Sequence, residues 1–166
     1  PFLLIVIDWL DNQTKNNYEQ SYNAINVGIK KIIPHYKTLV NRFPDNAEYR
    51  LYLGCTFGIK ARIALANKDW FSVLYSGYRG ISIIRQARII DPTLYDALMP
   101  IGLIDYYSCI SSPGIQWLST LMGITPDCEV GIEKLKSVVD QSKYAWVESA
   151  NILTYIYLYF EKDYER

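Results

Sequence analysis

Apolar residues recur at helical spacing along almost the whole chain. They stand three or four positions apart with polar and charged residues between them, which is the pattern of amphipathic helices. It is clearest in residues 47–66, where the apolar positions are Leu51, Leu53, Phe57, Ile63 and Leu65. The sequence has no Asn-Gly or Asp-Gly hairpin turn and no sustained apolar-polar alternation, so strand signals are almost absent. The pattern predicts an all-α fold.

Short polar breaks divide the chain into successive helices. Asn67-Lys68-Asp69 ends one helix, and Asp69 is a plausible N-cap for the next. Proline disfavours helix in the residue before it, so that next helix should end before Asp91-Pro92. Pro34 should kink or interrupt its own helix. The predicted helices are 1–11, 18–42, 47–66, 70–90, a segment from Pro92 to about 110, 115–122, 128–142 and 144–161.

Two stretches of the sequence, residues 43–54 and 91–102, align as an internal repeat. In each, a proline is followed ten residues later by a glycine that comes after a large aliphatic residue. Pro44 leads to Gly54, and Pro92 leads to Gly102. The proline opens the turn before a helix. We expect the glycine to mark the place where the paired helix approaches closely.

This repeat resembles the tetratricopeptide repeat (TPR). The matching features are the pair Leu53-Gly54, the turn Lys68-Asp69-Trp70, Ala87 in the second helix, and Asp91-Pro92. The period here is 48 residues instead of about 34, because each helix of the pair is about seven residues longer. Equal lengthening of two antiparallel helices keeps their ends in register. The resemblance implies a right-handed α-α superhelix of antiparallel hairpins, with elongated helices and one inserted short helix.

The insertion at residues 111–127 is similar to a feature of uncharacterised bacterial TPR-like proteins and, more weakly, of the Iml2 and tetratricopeptide-39-like proteins. We expect four segments in one domain: 1–42, 43–92, 93–143 (with the insertion) and 144–166, the last a truncated repeat. Residues 162–166 repeat the turn between helices, so further repeats of the chain should pack after Arg166. The insertion is a candidate docking element through Ile115, Trp117, Leu118 and Leu121.

Composition narrows the function classes. The 17 basic and 17 acidic residues balance, which argues against nucleic acid as a partner. The apolar run 1–7 is too short to span a bilayer. The three cysteines contain no CxxC pair, so we expect small buried side chains instead of a disulfide framework or a zinc site. A single histidine, His35, cannot build a two-histidine metal site. We predict no metal, no cofactor and no enzymatic activity.

Asp105 is the one charge inside an apolar stretch. It could form a hydrogen bond between helices, or pair with an arginine such as Arg79 or Arg85. Alternatively it could orient a ligand, which would suit a helical enzyme. The sequence leaves both interpretations open.

The resemblance implies that the first helix of each pair lines a concave face. Because that face would be mostly apolar, we expect it to bind a protein or peptide, or the chain's own next helix. The predicted function is a non-catalytic interaction scaffold or adaptor; the alternative is a carrier of an apolar small molecule or lipid in an aromatic-lined groove. The compartment stays open between cytoplasm and periplasm. The predicted face consists of Leu51, Cys55, Ile59, Asp96, Met99, Leu103, Tyr106, Ile152 and Ile156.

Overall fold

The computed structural model describes residues 2–162, apart from the side chains of Trp9, Gln13, Tyr18 and Glu19. It is all-helical, with no strand among the described residues. A short 3₁₀ turn precedes α5, and α8 continues into a π-helical segment, Ile156–Glu161. The helices are α1 (Phe2–Thr14), α2 (Tyr18–Arg42), α3 (Ala47–Ala66), α4 (Trp70–Ile90), α5 (Leu98–Cys109), α6 (Pro113–Leu121), α7 (Cys128–Gln141) and α8 (Trp146–Tyr155).

The predicted bounds of α2, α3 and α4 are confirmed to the residue. Asp69 accepts a hydrogen bond from the backbone N–H of Ser72 at 3.1 Å, as an N-cap does. Hydrogen bonding by Ser72 also holds the pKa of the Asp69 carboxyl below its ordinary value. Pro34 does not interrupt α2, which runs through it to Arg42. Helical periodicity and capping residues were therefore sufficient to place these three helices.

The first compact unit, unit 1, spans Pro1–Ile90 and contains α1 to α4. A three-residue turn joins α3 to α4, and the two helices pack against each other. At their contact, a Cβ atom placed on Gly54 would lie 2.8 Å from the Gly80 carbonyl oxygen. This confirms that Gly54 stands where the paired helix approaches closely. Further core side chains come from α2 and α3: Ile32, Tyr36, Leu53 and Phe57.

The second compact unit, unit 2, spans Asp91–Arg166. Its first residue lies beside the predicted segment boundary at residue 92. The close contact between α5 and α7 is again a pair of glycines, because a Cβ on Gly102 would lie 2.8 Å from the Gly131 carbonyl oxygen. Gly102 therefore has the same structural role as Gly54, because each allows the backbone of the facing helix to approach closely. The buried core of this unit consists of Tyr106, Leu135, Leu153, Ile156 and Tyr157.

The turn between α3 and α4 shares one backbone feature with the end of the described chain. Lys68 and Lys162 both adopt the left-handed conformation, with φ of 57° and 53°. Asn16, before α2, has the same conformation, with φ of 58°, so the recurrence of the turn at residues 162–166 stays a prediction. Residues 163–166, which complete the predicted turn, lie outside the described residues.

No helix within residues 2–162 combines the length and the apolar character that crossing a bilayer requires.

Candidate functional site

In unit 2, the predicted concave residues meet in the core. Tyr106 and Ile156 are fully buried, and Met99 and Ile152 pack against the same cluster. Leu103 is half-buried. In unit 1, Leu51 is buried, while Cys55 and Ile59 are half-buried. None of these side chains is exposed, so their visible role is packing, and their use by a partner stays a prediction.

Asp96, the remaining member of the predicted face, binds the turn that leads into α8. Its carboxylate accepts hydrogen bonds from three consecutive backbone N–H groups, those of Lys143, Tyr144 and Ala145, at 3.1, 2.8 and 2.7 Å. Lys143 and Tyr144 lie in the turn before α8, and Ala145 is the N-cap of the helix, where a carboxylate is also favoured by the helix dipole. Asp96 therefore ties the start of α8 to the turn before α5.

Tyr106 joins the core to the π-helical segment. Its hydroxyl donates a hydrogen bond to Glu161 Oε1 at 2.7 Å. Burial, followed by this bond and the nearby negative charge of Glu161, raises the pKa of Tyr106 well above its ordinary value. The ring also lies edge-on to Tyr107 and Phe160. Tyr106 is thus a neutral, fixed side chain and not a candidate acid or base near neutral pH.

Asp105 forms an ion pair between helices. Its carboxylate is only 2% exposed and lies within hydrogen-bonding distance of Lys134 Nζ, on α7. The interpretation of Asp105 as an interhelical contact is confirmed, but the partner is Lys134 and neither Arg79 nor Arg85. Those arginines belong to unit 1, whereas Lys134 follows Gly131, where α7 crosses α5.

The expectation of three unlinked, buried cysteines is wrong for two of them. Cys109 and Cys128 form a disulfide whose Cα atoms are 5.4 Å apart. Cys55, outside the disulfide, is half-buried. The pair was missed because a disulfide depends on tertiary proximity, which spacing alone does not give. One signal was available: the two cysteines flank the predicted insertion, Cys109 two residues before it and Cys128 directly after it, so closing its ends brings them together.

The disulfide closes a loop that carries α6. Inside the loop, Gln116 Nε2 donates to the carbonyl oxygens of Cys109 and Ser111 at 2.6 and 3.0 Å. The buried Ser119 hydroxyl lies 3.1 Å from that of Ser108 on α5. These contacts fix one side of α6 against α5.

A second set of bonds ends α6. Gly123 has a φ of 71°, the left-handed conformation that favours glycine. The N–H of Ile124 bonds to the Ser119 carbonyl and that of Gly123 to the Thr120 carbonyl, both at 2.9 Å. This is the Schellman arrangement that terminates helices. Asp127 then caps α7 by accepting from the Val130 N–H at 3.0 Å.

The outer side of α6 is apolar and exposed. Trp117 is 66% exposed and Leu121, one helical turn later, is 65% exposed. Ile115 is 52% exposed, whereas Leu118 is half-buried. We call Trp117 and Leu121 the α6 face. The predicted docking insertion therefore contains a short helix, held by a disulfide and side-chain hydrogen bonds, that presents three large apolar side chains to solvent, with Trp117 and Leu121 the most exposed.

In the part of the chain that the structure describes, no group of three His, Cys, Asp or Glu residues could hold a metal ion.

In comparisons with protein-family models, characterised proteins and solved structures, nothing matches this chain.

Proposed function

We propose that the chain is a non-catalytic interaction module of the TPR-like helical type, and that it binds another protein through the α6 face. The observation that carries the proposal is the exposure of Trp117 and Leu121 on a helix fixed by the Cys109–Cys128 disulfide. Buried tryptophans dominate the affinity of many protein interfaces. A helix that is already ordered loses less conformational entropy on binding.

The chemistry of the partner follows from the charge of this region. Residues 106–126 contain no Asp, Glu, Lys or Arg. A charged partner group would lose its hydration against this surface without meeting an opposite charge. The partner surface that fits is therefore an apolar segment of another protein. The alternative function, carriage of an apolar small molecule, stays a prediction.

A pull-down with quantified affinity tests the proposal. The full chain is compared with Trp117→Ala/Leu121→Ala, which removes the α6 face, and with Trp70→Ala. Trp70 is a matched control because it is a similarly exposed tryptophan, at 63%, on unit 1. Loss of a hot-spot tryptophan costs about 2 kcal/mol or more, which is about a thirtyfold increase in Kd. We expect that loss for the α6 double variant alone, with an unchanged melting temperature.

Two results would contradict the proposal. Equal losses for Trp70→Ala and the α6 variant would mean that general surface hydrophobicity captures the partner. If the wild-type chain instead forms a dimer in sedimentation that the α6 variant lacks, the occupant of this face is a second copy of the chain and not another protein.

A further inference from the structure

A cleft of about 270 Å³ in unit 1 is lined by three cations that come from three different helices. Lys37 belongs to α2, Arg50 to α3 and Arg79 to α4. Among the described residues that line the cleft, none is acidic. Its other walls are the side chains of Asn41, Val40, Leu53 and Ile83.

None of the three cations forms an ion pair with a described carboxylate. Arg50 donates instead to neutral acceptors, the Pro44 carbonyl oxygen at 3.1 and 3.3 Å and Gln86 Oε1 at 3.2 Å. An arginine side chain has five N–H groups, so one on each terminal nitrogen is left over. These two N–H groups can donate charge-assisted hydrogen bonds to an oxyanion.

Arg79 is likewise oriented by neutral groups. It donates to the Tyr75 hydroxyl at 3.0 Å, and its guanidinium lies over the Phe57 ring at 5.3 Å. The hydrogen bond from Arg79 is the main cause that lowers the pKa of Tyr75, and the charges of Arg79, Lys37 and Lys60 add to it. The cations Lys37, Arg50 and Arg79 together give the cleft a positive potential. Both arginines are therefore fixed in place while their charge is not neutralised.

The surroundings of the cleft add to this potential. Unit 1 contains 12 Lys and Arg residues against six Asp and Glu residues, whereas unit 2 contains five against 11. Three like charges around one cleft repel each other, and a bound anion relieves that repulsion. Lys37 is exposed, so the cleft is open to a ligand from solvent.

We propose that this cleft binds a phosphate monoester, with the phosphoryl oxygens on Arg50, Arg79 and Lys37 and a small apolar group on Val40, Leu53 and Ile83. A phosphate monoester is close to a dianion at neutral pH, so it balances three cations better than a single carboxylate does. The volume suits a compact ligand, because sites for larger organic ligands exceed about 300 Å³. The phosphoryl group could belong to a small ester or to a phosphorylated side chain of a protein.

Calorimetric titration of the full chain tests this site separately from the α6 face. The probes are phenyl phosphate, the pentapeptide Ala-Ala-phosphoserine-Ala-Ala, its unphosphorylated form, and the oligonucleotide dT10. We expect binding of phenyl phosphate or of the phosphopeptide, and about tenfold weaker binding by Lys37→Gln and by Arg79→Gln, as for loss of one charge-assisted hydrogen bond. The tighter of the two probes identifies the source of the phosphoryl group.

Lys31→Gln is the matched control. Lys31 is exposed on the same helix as Lys37 but does not line the cleft. We expect the affinity of Lys31→Gln for the phosphate probes to change less than about twofold, which is a free-energy change below about 0.5 kcal/mol. Equal weakening by Lys31→Gln and Lys37→Gln would overturn the proposal, because it would mean diffuse attraction to a basic surface. So would the absence of heat from both phosphate probes at about 10 mM, or tighter binding of dT10 than of either. Lys37 is exposed, so its variant keeps the test valid if Arg79→Gln fails to fold.

Discussion

Single glycines set how closely the helices of each unit pack. Gly54 and Gly80 meet between α3 and α4, and Gly102 and Gly131 meet between α5 and α7. A methyl group at any of the four would lie within 3 Å of a backbone oxygen or nitrogen of the facing helix. Backbone cannot move aside as a flexible side chain can, so the helices would have to separate. This explains why the internal repeat carries glycine at both of its equivalent positions.

Alanine substitution at two glycines of α3 should have opposite effects. At Gly54, the new methyl group would meet the Gly80 carbonyl at 2.8 Å and Ile84 at 2.4 Å, whereas at Gly58 nothing lies within 4 Å. We expect Gly54→Ala to lower the free energy of unfolding by about 1–3 kcal/mol through overpacking. Gly58→Ala should raise it by about 0.5–1 kcal/mol, because alanine favours helix. Urea denaturation of both variants measures this; a stabilised Gly54→Ala would show that the contact is looser.

At the scale of the helices, an ion pair joins the buried Asp105 of α5 to Lys134 of α7, whose side chain is 29% exposed. Removing one charge of such a pair leaves the other without a partner in the core, which costs more than losing both. We expect Lys134→Met to lower the free energy of unfolding by about 3 kcal/mol, because it isolates Asp105. Asp105→Leu/Lys134→Met should recover most of that loss. Thermal denaturation of the two variants decides this, and a double variant less stable than Lys134→Met would contradict it.

The disulfide joins the last residue of α5 to the first residue of α7 and encloses α6 in the loop between them. It joins residues 19 apart in sequence, and closing a loop of that length stabilises a fold by about 3 kcal/mol. We expect reductant to lower the melting temperature of the wild-type chain and to leave Cys109→Ser/Cys128→Ser unchanged. Cys55→Ser should keep the sensitivity of the wild type. If it loses that sensitivity, the reductant acts through Cys55 and not through the bridge.

The sequence predicted local features of these elements well and their tertiary contacts less well. Periodicity and capping placed α2, α3 and α4, and the repeat identified Gly54 and Gly102 as contact positions. These signals are local, because each depends on residues within one or two helical turns. The partner of Asp105 and the pairing of Cys109 with Cys128 are set by how α5 and α7 cross. That crossing depends on the packing of glycines far apart in the chain, and no spacing rule gives it.

At the scale of the whole molecule, the formal net charge of zero is the sum of a positive unit and a negative unit. Unit 1 carries a formal charge of +6 and unit 2 one of −6, from 12 against six and five against 11 residues. The prediction that nucleic acid is not a partner used the sum of the two. Charges are felt over about one Debye length, roughly 8–10 Å at physiological salt, so the charges close to a site matter more than the sum over the chain. Binding of an anion to the cleft of unit 1 should therefore weaken as the ionic strength rises.

The bridge between Cys109 and Cys128 also limits how far the segment that contains α6 can move away from α5 and α7. With it, the two ends of the segment stay 5.4 Å apart, and Trp117 faces solvent from one place. Without it, the packing of α5 against α7 would still keep these two ends near each other, and the hydrogen bonds of Gln116 and Ser119 would still hold α6 on α5. Those contacts are non-covalent and can open and close, whereas the bridge cannot. The disulfide therefore keeps the two ends of the docking segment together even when the other contacts open.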